Sequence, residues 1–338
     1  MKPFDSTQGK QLILIDGNAI LHRAFHALPG LTAPNGDLVN AVYGFFSMFL
    51  RVLEDIKPEY AIVCFDRPKP TFRKTLYVGY QAHRPVMAEG LGPQITVVHD
   101  LLNKMNVPIF EVDGYEADDV IGTLAKQAIE DSRILGDKDT KRKDEKSPNL
   151  LISQSPNIEV IIVTGDRDLL QLVNSHVKVL SPVVGLKETI LYDEKKVEEK
   201  FGITPSQIVD YKALIGDPSD GYPGVSGIGP KTARQLLQEY KTFENLYQNV
   251  DKLPVRISEK LATDAEQAAL AKKLATIVID VPVKLVLPDC VLEKFNMVRL
   301  KDAFEALGFQ SLIKRITLQV KRQEEAQKEK IGKQLGLL

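Results

Sequence analysis

The sequence predicts an α/β protein: a parallel sheet covered by helices on both faces, followed by a smaller helical unit. Short apolar runs recur between residues 11 and 192. Longer segments with helical periodicity lie between several of them, which is the pattern of strands joined by crossover helices. From about residue 204 the strand-like runs stop, and helical segments joined by Gly/Pro turns take over.

Taken in order, the expected strands cover residues 11–15 (Q-L-I-L-I), 60–65 (Y-A-I-V-C-F), 107–111, 160–164 (V-I-I-V-T) and 177–180, with a short edge strand at Thr189–Tyr192. Expected helices between them cover 40–56, 93–105 and 118–129. In the second unit they cover 205–215, 231–240, 258–275 and 298–307. No Ser/Gly-rich spacer separates residues 1–203 from 204–320, so the two units are expected to pack together. Residues 131–157 include G-D-K-D-T-K-R-K-D-E-K-S-P-N, too poor in large apolar side chains to order itself, and read as an exposed, disordered insertion. Residues 321–338 read as a charged tail.

Composition bounds the function. With 338 residues, 43% hydrophobic and 26% charged, the chain fits a soluble globular protein with a substantial core. No apolar run reaches the ~20 residues that span a bilayer, and M-K-P-F-D-S-T-Q-G-K lacks a signal peptide's apolar stretch. A cytoplasmic protein without a membrane partner is expected. Cys64 and Cys290 make neither a disulfide framework nor a zinc site. The net charge of −1 gives no global basic footprint, yet a local field is what steers a charged ligand.

Acids mark the ends of the apolar runs. Asp16 follows L-I-L-I, and Asp66 follows A-I-V-C-F. Glu116, Asp118 and Asp119 open a helical segment as Y-E-A-D-D-V. Asp166 and Asp168 follow V-I-I-V-T-G as D-R-D, and Asp217 and Asp220 lie in G-D-P-S-D-G. Each alone fits a turn, a cap or a favourable helix-start charge. Together, acids placed after buried parallel strands converge on the carboxyl edge of the sheet, where open α/β proteins build their sites. Crowded carboxylates require a neutralising cation. Without His or Cys in these motifs, a hard divalent ion is indicated: two Mg2+, with Mn2+ able to substitute. Such a pair activates water and stabilises the departing oxygen of a phosphodiester.

Two further segments concern nucleic acid. Residues 67–88 carry Arg67, Lys69, Arg73, Lys74 and Arg84 and no acid, with Phe72, Tyr77 and Tyr80 interleaved. Cations for phosphates and rings for unpaired bases suit a single strand; a solvated basic loop with its rings in the core is the plainer alternative. Residues 222–233 read Y-P-G-V-S-G-I-G-P-K-T-A. Gly224, Gly227 and Gly229 let the backbone turn tightly and present N–H groups to a phosphate at a helix start, where Lys231 and Thr232 follow. The motif resembles a helix–hairpin–helix, which grips duplex backbone without reading sequence.

In this order, the motifs resemble the 5′-nuclease domain of bacterial DNA polymerase I, a relative of flap endonucleases and phage 5′→3′ exonucleases. The resemblance spans about residues 12–312. It rests on I-D-G-N, A-V-Y-G-F (41–45), F-D (65–66), F-R (72–73), G-Y-E-A-D-D (114–119), T-G-D-R-D-L-L-Q-L (164–172), G-D-P-S-D and the glycine hairpin. It implies a PIN-like/Rossmann-like sheet, a helical arch over about 67–105, and a helix–three-turn–helix around 212–240, with K+ at the hairpin. It implies Asp16, Asp66, Glu116 and Asp118 at one ion, and Asp166, Asp168 and Asp220 at the other with Asp118 shared; Asp119 and Asp217 act indirectly. Arg73, Tyr80, Gln81 and Arg84 would stand at the reacting phosphate. Arg23, Lys69, Lys74 and the hairpin residues would meet DNA.

The implied activity is structure-specific hydrolysis of DNA at a 5′ end, nick or flap, in primer removal and repair. The implied form is a monomer working beside a separate DNA polymerase and ligase. One departure stands out: Gln81 replaces the lysine of the family's Y-K-A-x-R, removing a cation that stabilises transition-state charge. A slower enzyme is expected. A PIN-type ribonuclease and a catalytically weak DNA-junction binder are the alternatives.

Overall fold

The computed structural model describes residues 10–140, 158–183, 185 and 188–318. Residues 141–157 of the expected insertion and the tail 321–338 lie outside the described residues. Among the described residues six strands form one sheet: β1 (Lys10–Asp16), β2 (Tyr60–Cys64), β3 (Ile109–Phe110), β4 (Ile158–Val163), β5 (Val177–Pro182) and β6 (Thr189–Tyr192). Their order is β3-β2-β1-β4-β5-β6. All neighbours are parallel except the edge pair β5–β6. The order reverses between β1 and β4, and a crevice opens at the carboxyl ends of such a pair.

Both faces are covered. Along β1, Leu12 and Leu14 enter one apolar cluster while Ile13 and Ile15 enter the other. Burial on both sides explains why the strand reads as a continuous apolar run instead of an alternation. One face carries α1 (Gly17–Ala27), α2 (Asn40–Ile56) and α4 (Leu91–Lys104); the other carries α5 (Ala117–Thr140). In α2, Phe45, Phe46 and Phe49 are wholly buried, their rings 5.3–6.2 Å apart.

The helical portion comprises α6 (Glu194–Phe201), α7 (Ile208–Ile215), α8 (Pro230–Tyr240), α9 (Phe243–Gln248), α10 (Val255–Thr263), α11 (Ala265–Ala275) and α12 (Arg299–Ala306). A two-stranded ribbon, β7 (Gly216–Asp217) with β8 (Tyr222–Pro223), lies between α7 and α8. Ile208, Leu214, Leu236 and Leu261 share the apolar cluster of α5 and the sheet, so the two units pack as one body.

Several expectations are revised. The helix expected over 258–275 breaks at Asp264, whose carboxylate accepts the Ser226 amide at 2.7 Å and ties the break to the glycine hairpin. Beyond Cys290 the chain returns to the opposite face, where Phe295, Leu300 and Phe304 join the cluster of α2, so the unit expected at 204–320 is divided between both faces. α5 runs on to Thr140, past the residue 131 where the insertion was expected to begin. The helical arch over 67–105 is not continuous. Only α3 (Phe72–Leu76) is helical before α4, and α4 lies on the sheet with Leu91, Val98, Leu101 and Leu102 buried. Gly79, Pro85 and Gly90 interrupt the stretch between, and Gly90 takes a φ of +87° at the start of α4.

Candidate metal centre

The acids are placed by the ends of strands and the starts of helices. Asp16 closes β1 and caps α1: its Oδ1 accepts the Ala19 amide at 2.9 Å and its Oδ2 accepts the Thr164 hydroxyl at 2.7 Å. Asp66, one residue past Phe65, accepts the Ala117 amide at 2.7 Å, at the start of α5. Two helix N-termini thus aim their positive ends at the same crevice. On β4's side, Asp166 receives the Asp168 amide at 2.8 Å and donates its own amide to Thr164 Oγ1 at 2.9 Å. This closes D-R-D into a tight side-chain-bonded turn.

Asp16, Asp66, Glu116, Asp118, Asp166, Asp168 and Asp220 line one cleft of about 610 Å³. Asp168, Asp217 and Asp220 each bring a carboxylate oxygen within 4.8 Å of the others. Asp217, expected to act indirectly, belongs to this trio, while Asp119 does not line the cleft.

The electrostatics follow from crowding. Burial, with the charges of Asp66 and Asp166, raises Asp16 to about 7. Glu116 rises to about 7 through burial and its acidic neighbours, against the pull of Arg73. Asp168 does the same against Lys212. Asp118 is pushed well above the usual range by burial and by Asp166, Asp16 and Asp168. Asp217 behaves oppositely: burial pushes it up, but Lys212 and the Ser219 hydrogen bonds outweigh that and lower it.

The donor set fits hard divalent ions: carboxylate oxygens only, too crowded to remain ionised without added positive charge. An orphaned atom agrees. The Tyr222 hydroxyl, on a residue 3% exposed, has no hydrogen-bond partner among the described residues, and the charges of Lys212, Asp168, Asp217 and Asp220 act on it. Water in an ion's hydration shell would satisfy it.

The basic and aromatic residues depart most from expectation. Arg73 does not stand free at a phosphate. Its side chain is 3% exposed and its guanidinium bonds Asp119 at 2.7 and 2.8 Å and the carbonyls of Leu274 and Thr276 at 2.9 Å each. It also reaches Glu116 at 3.3 Å. Asp119, wholly buried, is therefore the counter-ion of Arg73. Tyr80 is buried and stacks on Tyr222, with centroids 6.3 Å apart, instead of offering its ring to a base. Burial holds it protonated, and its hydroxyl donates to Glu116 at 3.1 Å. Arg73, Tyr80, Gln81 and Arg84 all line the cleft, and Arg84 and Gln81 bond Asp220 at 2.7 and 3.3 Å.

Arg23 turns to the loop after β5, donating to the carbonyls of Val183 and Gly185 at 2.7 and 2.9 Å. Lys69 pairs with Asp113 at 2.6 Å, and Lys74 is exposed on α3. In the hairpin, Gly224 is a packing residue. A Cβ there would meet the Gly216 amide nitrogen at 2.3 Å. Gly227 takes a φ of +73° and its carbonyl accepts Lys260 Nζ at 2.7 Å. Gly229 caps α8, with Pro230 in the first turn, Lys231 exposed and Thr232 half-buried. The residue that sequence reasoning missed is Lys212, whose ammonium bonds both Asp168 and Asp217. The available signal was its position as the one cation in the apolar stretch I-V-D-Y-K-A-L-I of α7.

Two family models match the chain: 5′-3′ exonuclease, N-terminal resolvase-like domain, over residues 11–142, and 5′-3′ exonuclease, C-terminal SAM fold, over residues 203–298. DNA polymerase I of Caldicellulosiruptor bescii is 41% identical over 310 residues, covering 91% of this chain and 34% of that protein. DNA polymerase I of Bacillus subtilis is 36% identical over 311 residues, covering 92% and 32%. The chain thus spans about a third of the length of these relatives. Among solved structures, the T5 5′-exonuclease with zinc bound superposes with a TM-score of 0.59 at 19% identity, over 93% of this chain and 99% of that one. The catalytic core of Rad2 in complex with DNA substrate gives 0.50 at 16%, over 89% of each. At these identities the likeness is one of fold. Among the described residues no helix is long and apolar enough to cross a membrane.

Proposed function

This chain belongs to the 5′-3′ exonuclease family, a family of hydrolases, and from that premise we propose that it cleaves DNA phosphodiesters at a 5′ end, nick or flap. The observation that carries the reading is the convergence of seven carboxylates from separate segments on one cleft. Asp16, Asp66, Glu116 and Asp118 would hold one Mg2+; Asp166, Asp168, Asp217 and Asp220 would hold a second, with Asp118 shared. Mn2+ would substitute. When bound, the ions supply an activated water and stabilise the departing oxygen.

The chain's own residues do the rest. Tyr80, protonated, orients Glu116, and Arg73, held by Asp119, fixes that same carboxylate. Arg84, with its side chain 51% exposed, lines the cleft and would meet an incoming phosphate. Gln81 stands beside it without charge, so turnover is slower than with lysine there. The start of α8, with Lys231, holds duplex backbone, and K+ completes the hairpin. The protein works in the cytoplasm as a monomer on primer and repair intermediates, alongside DNA polymerase and ligase activities.

Labelled 5′-flap, nicked and blunt DNA, incubated with Mg2+ or with EDTA and resolved by product length, tests this. Mg2+-dependent cleavage that Asp118→Ala abolishes, with duplex binding retained, is expected. Full turnover by Asp118→Ala removes that residue from the site, and no cleavage by the parent protein favours the second reading, a weak DNA-junction binder, which Gln81 motivates. A preference for RNA flaps would turn the assignment to a ribonuclease.

A further inference from the structure

Resting on the metal reading above, we propose that Lys212 is a built-in cation that occupies the second ion's place in the metal-free protein and gives way when that ion binds. The oxygens of Asp168, Asp217 and Asp220 lie within 4.8 Å of one another, and Asp217 and Asp220 are only 8% and 7% exposed. Three acids so placed cannot all stay ionised without positive charge among them. Two side chains supply it from different elements. Lys212, on α7 with its side chain 14% exposed, bonds Asp168 and Asp217 together. Arg84, on the loop after α3, bonds Asp220 at 2.7 Å.

The bridge is incomplete in a telling way. An ammonium offers three donors and no acceptor, and it leaves the buried Tyr222 hydroxyl unpaired beside it. A hydrated divalent ion brings both charge and a water able to bond this hydroxyl. The two occupants exclude each other, because an ammonium bonded to two of the ion's own ligands repels a dication at that range. The second ion therefore enters by exchange with Lys212, not by filling an open position, and binds more weakly than the first. In return, the metal-free trio stays assembled.

The test counts bound Mn2+ by electron paramagnetic resonance at about pH 8, far above the ordinary carboxylate range. The parent chain, Lys212→Met and Lys212→Gln are compared, all purified in Mg2+ and then stripped. Two classes of site are expected in the parent. Both variants are expected to tighten the weaker class at least ~tenfold and leave the tighter class unchanged. Their melting temperatures are expected to fall more in EDTA than in saturating Mg2+. Lys212→Gln keeps a polar group in place should Lys212→Met not fold. An unchanged or weakened second class, or equal thermal losses with and without Mg2+, overturns the exchange and leaves Lys212 a simple brace. No Mn2+ binding by the parent chain overturns the metal reading itself.

Discussion

Replacing Arg73 by methionine separates its structural role from a catalytic one. The guanidinium makes two bonds to Asp119, two to the carbonyls of Leu274 and Thr276, and a longer one to Glu116. Methionine keeps most of the stem's volume and makes none of these bonds. Asp119, wholly buried, keeps the amides of Val278 at 2.8 Å and Glu116 at 3.1 Å but loses its counter-ion. Removing one partner of such a buried pair costs about 3–5 kcal/mol, a fifth or more of the roughly 5–15 kcal/mol that holds a domain folded. Urea unfolding in saturating Mg2+ should show that loss as a lower midpoint with an unchanged slope. Replacing both partners, Arg73→Met with Asp119→Leu, should recover part of it, because no uncompensated charge is then buried. A loss below ~1 kcal/mol, together with a large fall in kcat, would refute the brace and return Arg73 to the phosphate.

Other outcomes follow from the same contacts. Asp16, Glu116 and Asp168 sit at about 7 in the fold against ordinary values of 3.8, 4.5 and 3.8. The native metal-free state therefore binds protons that the unfolded chain has released, and stability falls as pH rises from about 4 through about 7. EDTA-stripped protein should melt lower at about pH 8 than at about pH 5.5, and Mg2+ should narrow the gap; a rising melting temperature in EDTA would contradict it. Gly224→Ala should cost about 1–3 kcal/mol, since its Cβ would strike backbone at 2.3–2.5 Å, whereas Gly229→Ala, with nothing within 4 Å, should be tolerated; equal midpoints in thermal melts would sink the distinction. Gln81→Lys should raise kcat on a flap substrate on the order of tenfold, and an unchanged kcat means the missing cation is not limiting. Lys231→Ala should weaken duplex binding and reduce the salt slope by about 1, which titrations at several salt concentrations read directly.

Much of the fold is legible residue by residue. The strands at 11–15, 60–65, 160–164 and 177–180 appear because a strand buried on both faces must be apolar throughout, a local property of the chain. β6, half-buried at the sheet's edge, is visible only as a short apolar run. α1 was not, since it begins at Asp16 itself and its cap is the same side chain that ends β1. The arch was over-read: the basic segment after Asp66 contains Gly79, Pro85 and Gly90, and helix survives only in α3 and in α4, which the sheet stabilises by burial.

The linear pattern by itself determined where Asp16, Asp66, Asp166 and Asp168 stand, because an acid after a buried parallel strand must emerge at the sheet's carboxyl edge whatever surrounds it. Only the tertiary structure decided which cations answer them. Arg73 meets Asp119 across 46 residues, Lys212 meets Asp168 across 44, and Arg84 meets Asp220 across 136. Coulomb pairing acts through distance in space and is indifferent to position along the chain, so no local motif could assign those partners.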